Sequence, residues 1–117
     1  PALLLAFLSV APTQALAESP ACQAINASWN SFNIPSTTDD GLRDVVYPAS
    51  DFLVTDQLSF SISDSAPSFT NYFTAANPDF SNSYVNYQNG QYSSGNSSTT
   101  VSGTDLTRDG LHLVYSN

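Results

Sequence analysis

The stretch "QLSFSIS", residues 57–63, decides the fold class. Leu58, Phe60 and Ile62 fall on one side of an extended chain, and Ser59, Ser61 and Ser63 on the other. Successive side chains of a strand point to opposite faces, so this alternation marks a strand with one face in a core and one in water. Past Ala17 no window repeats apolar residues at helical spacing, and Pro35, Pro48, Pro67 and Pro78 punctuate the chain. Antiparallel β structure is predicted throughout that part, with no helix.

Working outward, weaker strands are predicted over "CQAINAS" (22–28), "RDVVY" (43–47), "DFLV" (51–54), "FTNYF" (69–73) and "TTVS" (99–102). The segments "PSTTDDG", "SDSAPS", "AANPD" and "SSGNSSTT" are rich in turn formers and read as links between them. In "SYVNYQNGQYSSG" (83–95), Asn89-Gly90 separates two aromatic-containing runs. Asn-Gly is a strong hairpin signal, because a type I′ turn needs positive φ at both central residues. A hairpin there brings Tyr84, Tyr87 and Tyr92 together. Near the end, Asp109-Gly110 reads as a tight turn, and Leu111, Leu113 and Tyr115 alternate with His112, Val114 and Ser116 as the last strand. The sum is an all-β fold, an antiparallel sandwich of about seven to nine short strands.

The beginning of the chain differs in kind. Residues 2–11, "ALLLAFLSVA", form an apolar run that is followed by Ala15-Leu16-Ala17, with small residues at both positions that signal peptidase reads. The run is too short for a membrane span, which needs roughly 20 apolar residues. Residues 1–17 are therefore expected to be a signal-peptide helix, incomplete at its start because the basic segment and initiator Met are missing. Residues 18–117 are expected to be one β-sandwich domain, open to truncation at its far end. The predicted location is secreted or cell-surface.

Charge narrows the partners. Ten acidic residues face only Arg43 and Arg108, for a net charge of −8. Nucleic acid and anionic lipid draw most of their affinity from Lys and Arg, so neither is expected. No cofactor is indicated. Asp39, Asp40, Asp51, Asp56 and Asp64 fall in or beside predicted loops, where carboxylates can hold Ca²⁺, but the spaced Asp-x-Asp-x-Asp-Gly loop is missing and a solvated acidic edge is the preferred reading. One His and one Cys cannot build a tetrahedral transition-metal site. Cys22 is alone, which in an exported chain points to a disulfide partner outside the fragment or to a small buried thiol.

The closing segment "VSGTDLTRDGLHLVYSN" (101–117) resembles the end of extracellular immunoglobulin-like domains. There an apolar anchor, here Leu106, precedes a loop with Gly and then a strand opened by an aromatic or His. "ASDFLVTDQLSFSISDS" (49–65) is similar to the second or third strand of bacterial domains of that kind. The resemblance spans about the last two-thirds of the part beyond the leader. It implies that His112 stands where such domains commonly place a tyrosine that hydrogen-bonds the corner.

A rival reading starts from the same residues. Hydrolases of the SGNH/GDSL type pair a Gly-Asp-Ser motif with a later Asp-x-x-His; here Ser63-Asp64-Ser65 and Asp109/His112 are the counterparts. Ser65 would attack an acyl carbon, His112 would take its proton and Asp109 would orient the ring. Ser63 replaces the motif's glycine. The interval between Ser65 and His112 is also short for the βα units such a fold inserts, each about 30 residues or more. The turn is the preferred reading of Asp109-Gly110.

Asn26-Ala27-Ser28 and Asn96-Ser97-Ser98 match the glycosylation sequon. Tyr72, Phe73, Tyr84, Tyr87 and Tyr92 are candidates for an aromatic platform under sugar rings, although core packing explains most aromatics in a sandwich. Trp29 is expected to anchor the core. The composite expectation is a non-catalytic structural or adhesive domain with an extracellular protein or glycan as partner. The alternatives are a carbohydrate-binding module using Tyr84, Tyr87 and Tyr92, and a small esterase built on Ser65, Asp109 and His112.

Overall fold

A computed structural model describes residues 17–35 and 42–117. Residues 1–16 of the expected leader (1–17), and Asp39 and Asp40, lie outside the described residues. Seven strands and two short α-helices follow one another: α1 (Pro20–Trp29), β1 (Phe32–Ile34), β2 (Leu42–Tyr47), β3 (Gln57–Ser65), β4 (Asn71–Ala76), β5 (Ser83–Asn89), β6 (Ser94–Ser102), α2 (Gly103–Asp109) and β7 (Leu111–Ser116). A 3₁₀ turn over Ala49–Asp51 joins β2 to β3. The strands form a three-stranded sheet in the order β1-β3-β6 and a four-stranded sheet in the order β2-β7-β4-β5. The predominantly β, two-sheet expectation holds.

Strand β3 behaves as its alternation requires. Leu58, Phe60 and Ile62 are buried and enter one core with Phe73 and Ala75 of β4, Val85 of β5, and Leu111, Leu113 and Tyr115 of β7. Trp29 joins them, with ring centroids 5.0 Å from Phe73 and 5.5 Å from Tyr115. It is the core anchor expected of it. Burying a large side chain stabilises by about 1.5–3 kcal/mol, so this shared cluster supplies the main force holding the sheets together.

"DFLV" is no strand, since Asp51 closes the 3₁₀ turn and residues 52–54 form the loop into β3, and three further expectations need correction. First, "CQAINAS" belongs to a helix. Ser19 caps it by accepting the Cys22 N–H at 3.1 Å, and Pro20 occupies the first turn, where a missing N–H costs nothing. Cys22, Ile25 and Trp29 then recur at intervals of three and four and share the buried face. The helix docks along the edge of β3. Asn26 donates its amide to the Gln57 carbonyl at 3.0 Å and accepts the Ser59 N–H at 2.9 Å, as a neighbouring strand would. Just beyond, β1 takes over that edge in parallel register, Phe32 beside Ile62 and Ile34 beside Asp64, so the sheets are not antiparallel throughout as expected.

Second, Asn89-Gly90 makes no hairpin. β5 pairs with β4, β6 pairs with β3, and neither Asn89 nor Gly90 has positive φ. The chain passes from one sheet to the other through a turn closed by Ser93 N–H on the Gly90 carbonyl, with Tyr92 in the left-handed region at φ 62°. Third, "SSGNSSTT" is largely strand. From Ser94 to Ser102, β6 pairs with β3 residue by residue, so ladder formation overrides weak local propensity.

The closing turn exists, but a helix leads into it. α2 carries the buried Leu106 and ends at Gly110, whose φ of 81° suits glycine and whose N–H returns to the Leu106 carbonyl at 2.8 Å. At the other end of α2, a Cβ on Gly103 would lie 2.3 Å from the Leu53 carbonyl oxygen, so the helix can start only where a side chain is missing.

Candidate binding edge at the second strand

β2 ends one side of the four-stranded sheet. Its only strand neighbour among the described residues is β7, in antiparallel register from Leu42 opposite Ser116 to Tyr47 opposite Leu111. Alternate backbone N–H and C=O groups of such a strand point away from the sheet and can accept a further strand. Edge strands are normally shielded by charge, proline or a covering segment. Here Leu42 is 69 % exposed, Val46 53 % and Val45 39 %.

The two faces of β2 differ. On the outer face Val46 lies opposite His112, which reaches back to β2: its Nε2 is 2.7 Å from Asp44 Oδ1. Its Nδ1 is 3.0 Å from the Pro78 carbonyl, and Phe80 packs against the ring at 4.1 Å between centroids. A carboxylate and a carbonyl only accept, so the imidazolium, with a proton on each nitrogen, satisfies both contacts. Burial works against the charge, but the Asp44 hydrogen bond and the Pro78 carbonyl outweigh it and raise the His112 pKa above 6.5.

The inner face carries Arg43, Val45 and Tyr47, which with Ser28, Trp29, Phe32 and Leu113 line a cleft of about 370 Å³ between β2 and the end of α1. The two arginines have different surroundings. Arg108 is paired with Asp105 at 3.0 Å and with Asp109 at 2.9 Å. Arg43 forms no ion pair with any described residue.

The proposed hydrolase residues do not meet. Ser65 is the last residue of β3, beside Ser94, whereas the opposite end of that ladder, Gln57 beside Ser102, leads through α2 to Asp109 and His112. Both His112 nitrogens face Asp44 and Pro78, and Asp109 faces Arg108. The tyrosines are also separated. Tyr87 is buried and points its hydroxyl at Asp64, Tyr84 lies on the other face of β5 with its hydroxyl buried, and Tyr92 is 69 % exposed in the turn.

The sequon residues differ likewise. The Asn26 side-chain nitrogen, the atom a glycan would take, is donated to Gln57, while Asn96 is exposed on β6. Cys22 is fully buried, with its thiol 3.5 Å from the Gln57 carbonyl, and burial raises its pKa.

Two carboxylates assigned to a solvated edge are interior. Asp56 is 2 % exposed and Asp64 6 %. Asp56 accepts the Ser19 N–H at 3.0 Å, the Ser19 hydroxyl at 2.6 Å and the Leu53 N–H at 2.8 Å. Desolvation opposes its charge, but these donors prevail and hold its pKa below the ordinary carboxylate value. Asp64 accepts the Ala66 N–H, the amides of Asn71 and Asn89, and the Tyr87 hydroxyl. Among the described residues no three His, Cys, Asp or Glu side chains converge as metal ligands, and no helix is long and apolar enough to cross a membrane.

Comparison with known proteins returns no matching family model, no matching curated protein and no matching solved structure. Asp44 and the cleft role of Arg43 went unmarked in the sequence. The odd-numbered alternation of Arg43, Val45 and Tyr47 was the available signal, but it does not say which strand ends the sheet.

Proposed function

We propose that the chain is a non-catalytic domain of a secreted or cell-surface protein, and that it holds an extracellular protein by taking an extended segment of it alongside β2. One observation carries this reading: an edge strand with Leu42, Val45 and Val46 exposed and no covering strand among the described residues. Strand addition supplies main-chain hydrogen bonds, and alternate side chains of the added segment meet the two faces of β2. The apolar run and Ala-x-Ala site at residues 2–17 support export. Two sheets, of three and four strands, are compatible with the immunoglobulin-like resemblance.

The test is selection of displayed heptapeptides on the purified chain, with a Val46→Lys variant in parallel. Peptides with alternating β-forming residues should be enriched, and they should lose binding to the variant. Enrichment that Val46→Lys leaves untouched, or no enrichment, overturns the reading.

A further inference from the structure

We propose that the cleft beside β2 binds a carboxylate attached to a compact apolar group, with Arg43 pairing the carboxylate and Trp29, Phe32, Val45 and Tyr47 enclosing the apolar part. This deepens the partner-binding reading, on which its biological setting rests, by naming the chemical group the partner presents.

Charge is the first ground. In a chain of net charge −8 with two arginines and no lysine, a cation without an ion pair to any described acid stands out. Arg108 is held by two carboxylates, yet Arg43 lines the cleft without an ion pair to any described residue. A guanidinium presents a planar fork of donors that fits a carboxylate two bonds at a time.

Shape is the second. Alternation along β2 turns Arg43, Val45 and Tyr47 to the same side, and the end of α1 sets Ser28 and Trp29 across from them. Trp29 and Phe32 are already fixed against each other, 4.9 Å between ring centroids, and both pack on Tyr115. The wall is therefore rigid before any ligand arrives. A volume of about 370 Å³ lies at the small end of ligand sites, which run from roughly 300 to 1,000 Å³.

The combination selects the ligand class. A single guanidinium suits one carboxylate; a phosphate dianion would be left undercompensated by a cleft with no second cation among its lining residues. The apolar walls give a bare small anion nothing to bury. An apolar carboxylate satisfies both halves, and it is equally the chemistry of a free organic acid and of a protein segment ending in, or bearing, a carboxylate next to an apolar residue.

Trp29 is the sole tryptophan of the chain, so its emission reports the cleft directly. The full chain would be titrated with 3-phenylpropionate, octanoate, 3-phenylpropionamide and a heptapeptide ending in Phe, free or amidated at its C-terminus. Saturable changes are expected with the carboxylates. Binding of each amide should be weaker by about tenfold or more, the worth of one charge-assisted pair. Arg43→Gln should abolish that discrimination while circular dichroism and melting temperature stay unchanged, and Arg43→Lys should restore part of it. Equal binding of acid and amide, discrimination that survives Arg43→Gln, or no saturable change overturns the inference. A response to the organic acids but not to the peptide assigns the site to free acids; the reverse assigns it to a protein segment. Val46→Lys separates the two proposals: it should abolish strand addition and leave phenylpropionate binding intact. If carboxylates fail while β2-dependent peptides still bind, the cleft assignment alone falls.

Discussion

Asp56 and Asp64 lie eight positions apart at opposite ends of β3, both almost fully buried, and they do different work. Asp56 is held mainly by backbone. The Ser19 and Leu53 N–H groups and the Ser19 hydroxyl converge on its carboxylate, while its carbonyl takes the Gly103 N–H at 2.6 Å. One residue therefore fixes the start of α1, the turn before β3 and the start of α2. Asp64 is held mainly by side chains. Asn71, Asn89 and Tyr87 reach it from the opposite sheet, and the buried Asn71 Oδ1 has no hydrogen-bond partner among the described residues. Backbone donors cannot turn away to find water, whereas amides and hydroxyls on side chains can. Equal burial thus carries unequal stakes.

Asp56→Ala is the largest expected effect. It strands buried donors at the junction of both helices and should cost about 3–4 kcal/mol in urea unfolding. Asp64→Ala should cost less, about 2 kcal/mol, because Asn89 and Tyr87 can be partly rehydrated. Equal losses would break the contrast between the two ends. Ser19→Ala, which removes the cap and one bond to Asp56, should cost about 1 kcal/mol.

The pH dependence sharpens the contrast. The folded pKa of Asp56 lies below its ordinary 3.8, so its contribution is complete above that value and disappears as pH falls through the folded pKa. The deficit of Asp56→Ala relative to the parent should therefore shrink in acid, as read by urea unfolding from pH 5 down to about pH 2. His112 runs the other way. With its folded pKa above 6.5, its contribution is complete below that value and is lost as pH rises through the folded pKa. This is the smallest effect, about 0.5 kcal/mol, because Asp44 is 59 % exposed and the pair is screened; His112→Gln should flatten it.

How much of this was legible in the linear chain depends on the range of the interaction. β3 and β7 were readable because their alternation records burial one residue at a time. α1 was missed although Ser19-Pro20 is a strong helix start and Cys22, Ile25 and Trp29 keep helical spacing. Only three of its ten residues are buried, so its apolar stripe is too thin to stand out against the alternation around it. The end of β6 is readable in "TTVS" (99–102), but its first part is not, because Ser94–Ser98 carry almost no strand preference of their own; β3 imposes the structure there. The terminal place of β2 depends wholly on strand order, which local patterning does not record. His112 was singled out, but its acceptors, Asp44 and Pro78, come from β2 and from the β4–β5 connection.

The strand order has a further consequence in time. Of the five strand pairs among the described residues, only β4 with β5 joins neighbours along the chain. Every other ladder waits for distant segments to find each other, a topology that slows folding toward the millisecond-to-second range. β2 waits longest, since Leu42 pairs with Ser116. During synthesis the nascent polypeptide cannot secure this strand until nearly all of residues 42–116 have emerged, so β2 would be the last part of the domain to mature.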